Sequence, residues 1–157
     1  MDIKEILKKV RLACQYISDN NSSVWHTNEW NICSHLRSRL EEEFTGYDVD
    51  VELVKEDGRR PDIIVHRRGD NSDNLIVFQA KIDPTLKDLQ EDLKKINETF
   101  FQEPYLYKFG VFISIGEYPK PLPNFDLTRI GIMEVYGSIL FEEKDEDKKG
   151  FKSDSLV

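Results

Sequence analysis

The clearest pattern in the chain lies in residues 61–83, which read PDIIVHRRGDNSDNLIVFQAKID. Two stretches within it, residues 62–66 and residues 75–82, are rich in β-branched residues, which favour strands. The polar loop RRGDNSDN lies between them. We therefore predict an antiparallel pair of strands over this segment.

The pairing of these two strands predicts a candidate functional site. A register in which His66 faces Leu75 also places Asp62 opposite Gln79, because paired positions run in opposite directions along antiparallel strands. Alternation then puts Gln79 and Lys81 on one face. Three polar side chains, those of Asp62, Gln79 and Lys81, converge at one end of a strand pair that is otherwise apolar.

Helical periodicity predicts two helices before the strand pair. Apolar residues recur at helical spacing over residues 2–17, and the polar run SDNNSS at 18–23 interrupts the pattern. A second helix is expected from caps at residues 27–28 to about Phe44, and Gly46 ends it.

A third helix and a strand are predicted after the pair. Asp83 reads as an N-cap with Pro84 in the first helical turn, and an apolar stripe continues to about Gln102. Residues 110–116 are apolar on both faces, as expected of a central strand reached through a crossover helix. The sheet is therefore expected to be mixed.

Further strands are expected on both sides of this core. Residues 47–53 alternate with a period of two, and the turn EDGR at 56–59 follows them. Residues 129–135 and 138–143 read as two more strands, joined at Tyr136–Gly137. The fold class is thus α/β.

Composition indicates one domain. The chain has 157 residues, of which 39% are hydrophobic, and this excludes wholesale disorder. Cys14 and Cys33 lack zinc-site spacing and fit a reducing cytoplasm. No apolar run approaches the roughly 18 residues of a membrane span. We predict a single domain over residues 1–141 and a charged tail over residues 142–157.

The charge is segregated along the chain. A net charge of −8 argues against a protein that coats nucleic acid indiscriminately, but it leaves room for a local basic groove. Four arginines lie close to Asp62 in the sequence: Arg59, Arg60, Arg67 and Arg68.

With Pro-Asp at 61–62, Gln-Ala-Lys at 79–81 and the αβββαβ order around them, the chain resembles the PD-(D/E)XK nuclease superfamily. The resemblance covers about residues 27–116 and implies a restriction-endonuclease-like fold, with an extra N-terminal helix and a C-terminal β-hairpin. Gln79 departs from the family pattern, which usually has an acidic residue there.

The resemblance implies a role for each matching residue. Asp62, Gln79 and Glu29 would bind Mg²⁺, for which Mn²⁺ could substitute, and the Ala80 carbonyl would add an oxygen. Lys81 would orient the attacking water and stabilise charge at the scissile phosphate. Glu29 also lies on the apolar stripe of its predicted helix, where a carboxylate is costly without a partner.

These roles predict a cytoplasmic Mg²⁺-dependent nuclease that hydrolyses phosphodiester bonds, most simply in DNA, as a homodimer or with a partner subunit. Flanking phosphates would be held by Arg59, Arg60, Arg67, Arg68 and Gln90. Gln79 keeps open an alternative, a catalytically inactive module that binds nucleic acid or a protein in a larger defence or mobile-element complex. An acidic DNA mimic is a third reading, which the four arginines disfavour.

Overall fold

The structure, a computed structural model, describes residues 1–19, 29–51, 61–117, 119, 127–135 and 141–142. Side chains are described for these residues except at 29–31, 71 and 141–142. The helices of this part are α1 (Ile3–Asp19), α2 (Glu29–Glu43) and α3 (Leu86–Lys95), with a π-helical extension of α3 over Ile96–Phe100 and a short 3-10 turn at Asn71–Asp73. The strands are β1 (Asp48–Val51), β2 (Ile63–His66), β3 (Ile76–Ile82), β4 (Phe109–Ile115), β5 (Ile130–Val135) and β6 (Phe141–Glu142).

The strands form one mixed sheet in the order β1-β2-β3-β4-β5-β6. β1, β2 and β3 pair antiparallel, whereas β4 is parallel to β3 and β5 is parallel to β4. β6 returns antiparallel to β5. The predicted α/β class and mixed sheet are confirmed, and so is the pairing of two strands near the C-terminus.

The predicted register of the central hairpin is also confirmed. Ile63 pairs with Phe78 and Val65 with Ile76. One step further, the Asp62 N–H donates to the Phe78 carbonyl at 3.2 Å. Continuing the register by one residue places Asp62 beside Gln79, as the assumed pairing of His66 with Leu75 predicts.

Helices cover both faces of the sheet, and β3 shows which residues face which helices. Phe78 and Ala80 belong to the apolar cluster formed with α1 and α2, whereas Val77 belongs to the cluster formed with α3 and its π-helical extension. Because side chains alternate along a strand, Gln79 and Lys81 lie on the α3 side with Val77.

The start of α3 differs from the prediction. Thr85, not Asp83, is the N-cap, and Thr85 and Asp88 form a reciprocal capping box. Asp83 instead has a φ of +45°, and its N–H donates to the Ile115 carbonyl at 2.9 Å. The segment from Asp83 thus links β3 to α3 before the helix begins.

Other predictions concern the ends of elements. Gly46 has a φ of +89° just beyond α2, in keeping with its expected role after the helix. The described residues do not include the caps at 27–28, the turn at 56–59, the loop at 136–137 or residues 143–157 of the predicted tail. Glu142, the predicted first residue of that tail, is the last residue of β6. Among the described helices, none is long and apolar enough to cross a membrane.

Candidate functional site

Asp62 lies one residue before β2 and is half-buried. It falls on the α3 side of the sheet, because Ile64, two residues on, belongs to the cluster that packs against α3. Its Oδ2 accepts a 2.7 Å hydrogen bond from the Ala80 N–H. This contact fixes the carboxylate beside the end of β3.

Gln79 is a buried polar residue of β3, one position beyond the last pair of β3 with β2. It is only 3% exposed. Its Nε2 has no hydrogen-bond partner within the described part of the chain. An unpaired buried donor is costly, so its presence marks a position where a further group could bind.

Asp92 is a buried acid on α3, on the same side of the sheet, and the sequence analysis missed it. It lies on the stripe of α3 formed by Leu89, Leu93 and Ile96, and it is 3% exposed. Its Oδ1 is 3.7 Å from the Lys95 Nζ. No described residue forms a hydrogen bond with its Oδ2.

Electrostatics link Asp92 to the hairpin. Burial raises the pKa of Asp92 from 3.8 to about 6. The Lys81 and Lys95 ammonium groups act in the opposite direction, while the Asp62 and Asp88 carboxylates add to the increase. Asp62, Lys81 and Asp92 therefore share one electrostatic environment. Together with Gln79, they are called the polar cluster below.

Lys81 is half-buried and faces the first turns of α3. The pKa of Asp88 is lowered, first by its hydrogen bonds with Thr85 and then by the Lys81 ammonium group. Because Lys81 acts on both Asp88 and Asp92, its charge lies beside this face of α3. The polar cluster thus combines two carboxylates, one amide and one ammonium group.

Glu29, the predicted ligand on the second helix, lies at the start of α2. Glu29 is the first residue of α2, but its side chain is outside the described set. The stripe of α2 that contains Cys33 and Leu36 packs with Phe78, on the sheet face opposite to the polar cluster. Glu29 as a ligand stays a prediction.

Arg67 and Arg68 do not flank Asp62, although they are close to it in sequence. They follow the far end of β2. Arg68 Nε donates to Asp50 Oδ2 at 3.0 Å, and Arg67 Nε is 2.9 Å from Asp73 Oδ2. These guanidinium groups are thus held at the opposite end of the hairpin from the polar cluster.

The other predicted substrate contacts are placed as follows. Gln90 is exposed, and two residues along a helix correspond to a rotation of about 200°, so it points away from the direction of Asp92. Arg59 and Arg60 lie outside the described residues. The substrate roles of all three stay predictions.

The polar cluster holds oxygen donors of the hard type. Within the described ranges, no three His, Cys, Asp or Glu residues gather in a group able to hold a metal ion. The cluster offers two carboxylates and an amide, and Mg²⁺ prefers few protein oxygens and retains several waters. A 180° rotation of the Gln79 amide would put its oxygen where the unpaired Nε2 lies.

No family model, curated protein or solved structure matches this chain.

Proposed function

We propose that the chain is a Mg²⁺-dependent nuclease of the PD-(D/E)XK type that hydrolyses phosphodiester bonds in DNA. The observation that supports this proposal is the hairpin register, which, continued by one residue, brings Asp62 beside Gln79 and leaves Lys81 on the same face of β3. A carboxylate, an amide and an ammonium group would then act together at the end of an otherwise apolar strand pair.

The oxygens of this site suit the ion. The Asp62 carboxylate, the Gln79 amide oxygen and the Ala80 carbonyl would hold Mg²⁺. When bound, the ion would lower the pKa of an attacking water and neutralise charge on the phosphate. The Ala80 N–H already fixes the Asp62 carboxylate, so little reorganisation would be needed.

Lys81 would act as a cation. Its ammonium group, beside the Asp92 carboxylate, would donate hydrogen bonds to the phosphate oxygens as negative charge builds up on them. It would also orient the attacking water from the same side. A charged ammonium group has no lone pair, so Lys81 would not remove the proton.

Gln79 favours one second candidate, a non-catalytic nuclease-fold module that binds nucleic acid or a protein partner. A neutral amide contributes less to cation binding than the acidic residue usual in the family. In this case DNA would bind without being cleaved.

The test is cleavage of supercoiled and branched DNA with Mg²⁺ or Mn²⁺. We expect the wild-type chain to cleave, and Asp62→Asn and Lys81→Met each to lower the rate roughly 100-fold or more. Glu91→Gln is the control, because Glu91 is exposed on α3. Undiminished cleavage by Asp62→Asn would contradict the proposal, and binding without cleavage by the wild-type chain would favour the second candidate.

A further inference from the structure

We infer that Asp92 supplies the second carboxylate of the metal site, the role that the family pattern gives to position 79. This inference rests on the proposed function, since it concerns the same site. It moves the acidic ligand from β3 to the facing helix α3.

The first support is that one buried polar atom on α3 and one on β3 lack a hydrogen-bond partner among the described residues. Asp92 Oδ2 and Gln79 Nε2 are buried and have no hydrogen-bond partner among the described residues. Both residues are 3% exposed. Two buried, unsatisfied polar atoms on facing elements are expected where a bound group completes the site. A cation would take the Asp92 oxygen, and the rotated Gln79 amide would present its own.

The second support is the charge balance. Of the predicted ligands whose side chains are described, Gln79 is neutral, so only Asp62 sets a negative charge against a divalent ion. The Asp92 carboxylate interacts electrostatically with both Asp62 and Lys81, so it lies where a second charge would be useful. With Asp92 as a ligand, the negative charges of the two carboxylates would equal the positive charge of the divalent cation.

The neighbouring ion pair does not explain why Asp92 is buried. Lys95 is 47% exposed at its side chain and reaches Asp92 only at 3.7 Å. Such pairs contribute little to stability. Leu or Ile at position 92 would continue the stripe of Leu89 and Leu93, so a carboxylate there is a cost that packing does not require.

The experiment is calorimetric titration of the full chain with Mn²⁺ alone, without DNA. We expect Asp92→Asn to weaken Mn²⁺ binding by about tenfold or more, as Asp62→Asn does. Glu91→Gln, the adjacent exposed position, should leave the affinity unchanged within about twofold. Circular dichroism establishes that each variant is folded.

A double variant tests the exchange of position directly. Gln79→Glu combined with Asp92→Asn returns the carboxylate to β3, and we expect it to recover most of the Mn²⁺ affinity that Asp92→Asn loses. Gln79→Glu alone is the reference for this variant, and Asp92→Asn should lower the Mn²⁺ affinity both with Gln79 and with Glu at position 79. If Asp92→Asn changes the affinity in neither background, the inference is overturned. The double variant also serves if Asp92→Asn alone folds poorly.

The outcomes separate the inference from the proposed function. If Asp62→Asn loses Mn²⁺ but Asp92→Asn binds it as the wild-type chain does, the inference is overturned and the proposed function stands. If the wild-type chain binds no Mn²⁺, both are overturned.

Discussion

The Asp62 carboxylate accepts a 2.7 Å hydrogen bond from the Ala80 N–H, one residue beyond the position that Asp62 faces across the hairpin. Ala80 is buried, so its N–H depends on this acceptor. One acidic residue thus joins β2 to β3 and lies in the polar cluster. The structural and chemical roles of Asp62 can be separated by substitution.

Asp62→Ala should destabilise the protein more than Asp62→Asn. Alanine leaves the Ala80 N–H without its acceptor, which costs about 1–3 kcal/mol, whereas the asparagine amide retains an oxygen that can accept. Urea unfolding at neutral pH measures the difference. Equal stability of the two variants would mean that the hydrogen bond from the Ala80 N–H to Asp62 does not stabilise the fold. Both variants should lose DNA cleavage.

Asp92→Asn should stabilise the metal-free protein at pH 7. The pKa of Asp92 is about 6 in the folded protein against an ordinary 3.8, so the folded state holds more protons than the unfolded state between these values. Wild-type stability therefore falls as pH rises through this window, and the penalty is complete above it. Removing the charge should recover about 1–3 kcal/mol.

The stability difference between Asp92→Asn and the wild-type chain should depend on pH, and this dependence serves as a control. At about pH 3 and below, under the ordinary pKa of 3.8, Asp92 is largely protonated in both states, so the advantage of the asparagine variant should disappear. Thermal unfolding from about pH 3 to about pH 8 measures it. A constant difference across this range would show that the variant acts through packing and not through charge.

The sequence predicted the hairpin and missed Asp92 for physical reasons. The hairpin followed from two stretches rich in β-branched residues, and the assumed register of His66 opposite Leu75 agrees with the pairs Ile63–Phe78 and Val65–Ile76. β2 is buried on both faces, and so is most of β3, so apolar alternation could not by itself fix that register. A carboxylate on an apolar helical stripe was noticed at Glu29 but not at Asp92. The same criterion, applied to the stripe of Leu89 and Leu93, would have found it.

Two other differences follow from ambiguity in local signals. Asp83 and Thr85 are both good N-cap residues, and only the capping box formed by Thr85 with Asp88 separates them. Arg68 is six residues from Asp62, but an extended chain of that length spans about 20 Å, so neighbours in the sequence lie at opposite ends of β2. The short separation of Arg68 and Asp62 in the sequence therefore did not show where the Arg68 guanidinium lies.

Arg68→Gln should destabilise the protein at neutral pH and not in strong acid. The pKa of Asp50 is lowered to about 2, first by its hydrogen bond with Arg68 and, less strongly, by that with His66. This stabilisation is present above the ordinary pKa of 3.8 and is lost as pH falls through about 2. Urea unfolding at pH 7 and below pH 2 measures it.

DNA cleavage should distinguish this ion pair from the polar cluster. Arg68 lies at the far end of the hairpin, so Arg68→Gln should retain cleavage under conditions in which it is folded. Lys94→Gln, which removes an exposed charge on α3, is the stability control. A large loss of cleavage in folded Arg68→Gln would place substrate at that end.

Gly131→Ala tests the packing of α1 on the sheet. A Cβ at Gly131 of β5 would collide with the Leu7 side chain of α1. We expect a loss of about 1–3 kcal/mol, because the core is closely packed there. Adding Leu7→Ala should relieve the collision, so the double variant should lose less than the sum of the two single variants.

Gln79→Glu should make the protein less stable without metal and more responsive to metal. A third carboxylate beside Asp62 and Asp92 adds like-charge repulsion in a buried position, so the melting temperature of the metal-free variant should fall. The same charge should raise Mn²⁺ affinity roughly tenfold, and binding then stabilises the folded state more strongly. Gln102→Glu, an exposed change of the same chemistry, should leave the Mn²⁺ affinity unchanged. If Gln79→Glu leaves the shift in melting temperature on adding Mn²⁺ unchanged, position 79 does not face the cation and the polar cluster is not its site.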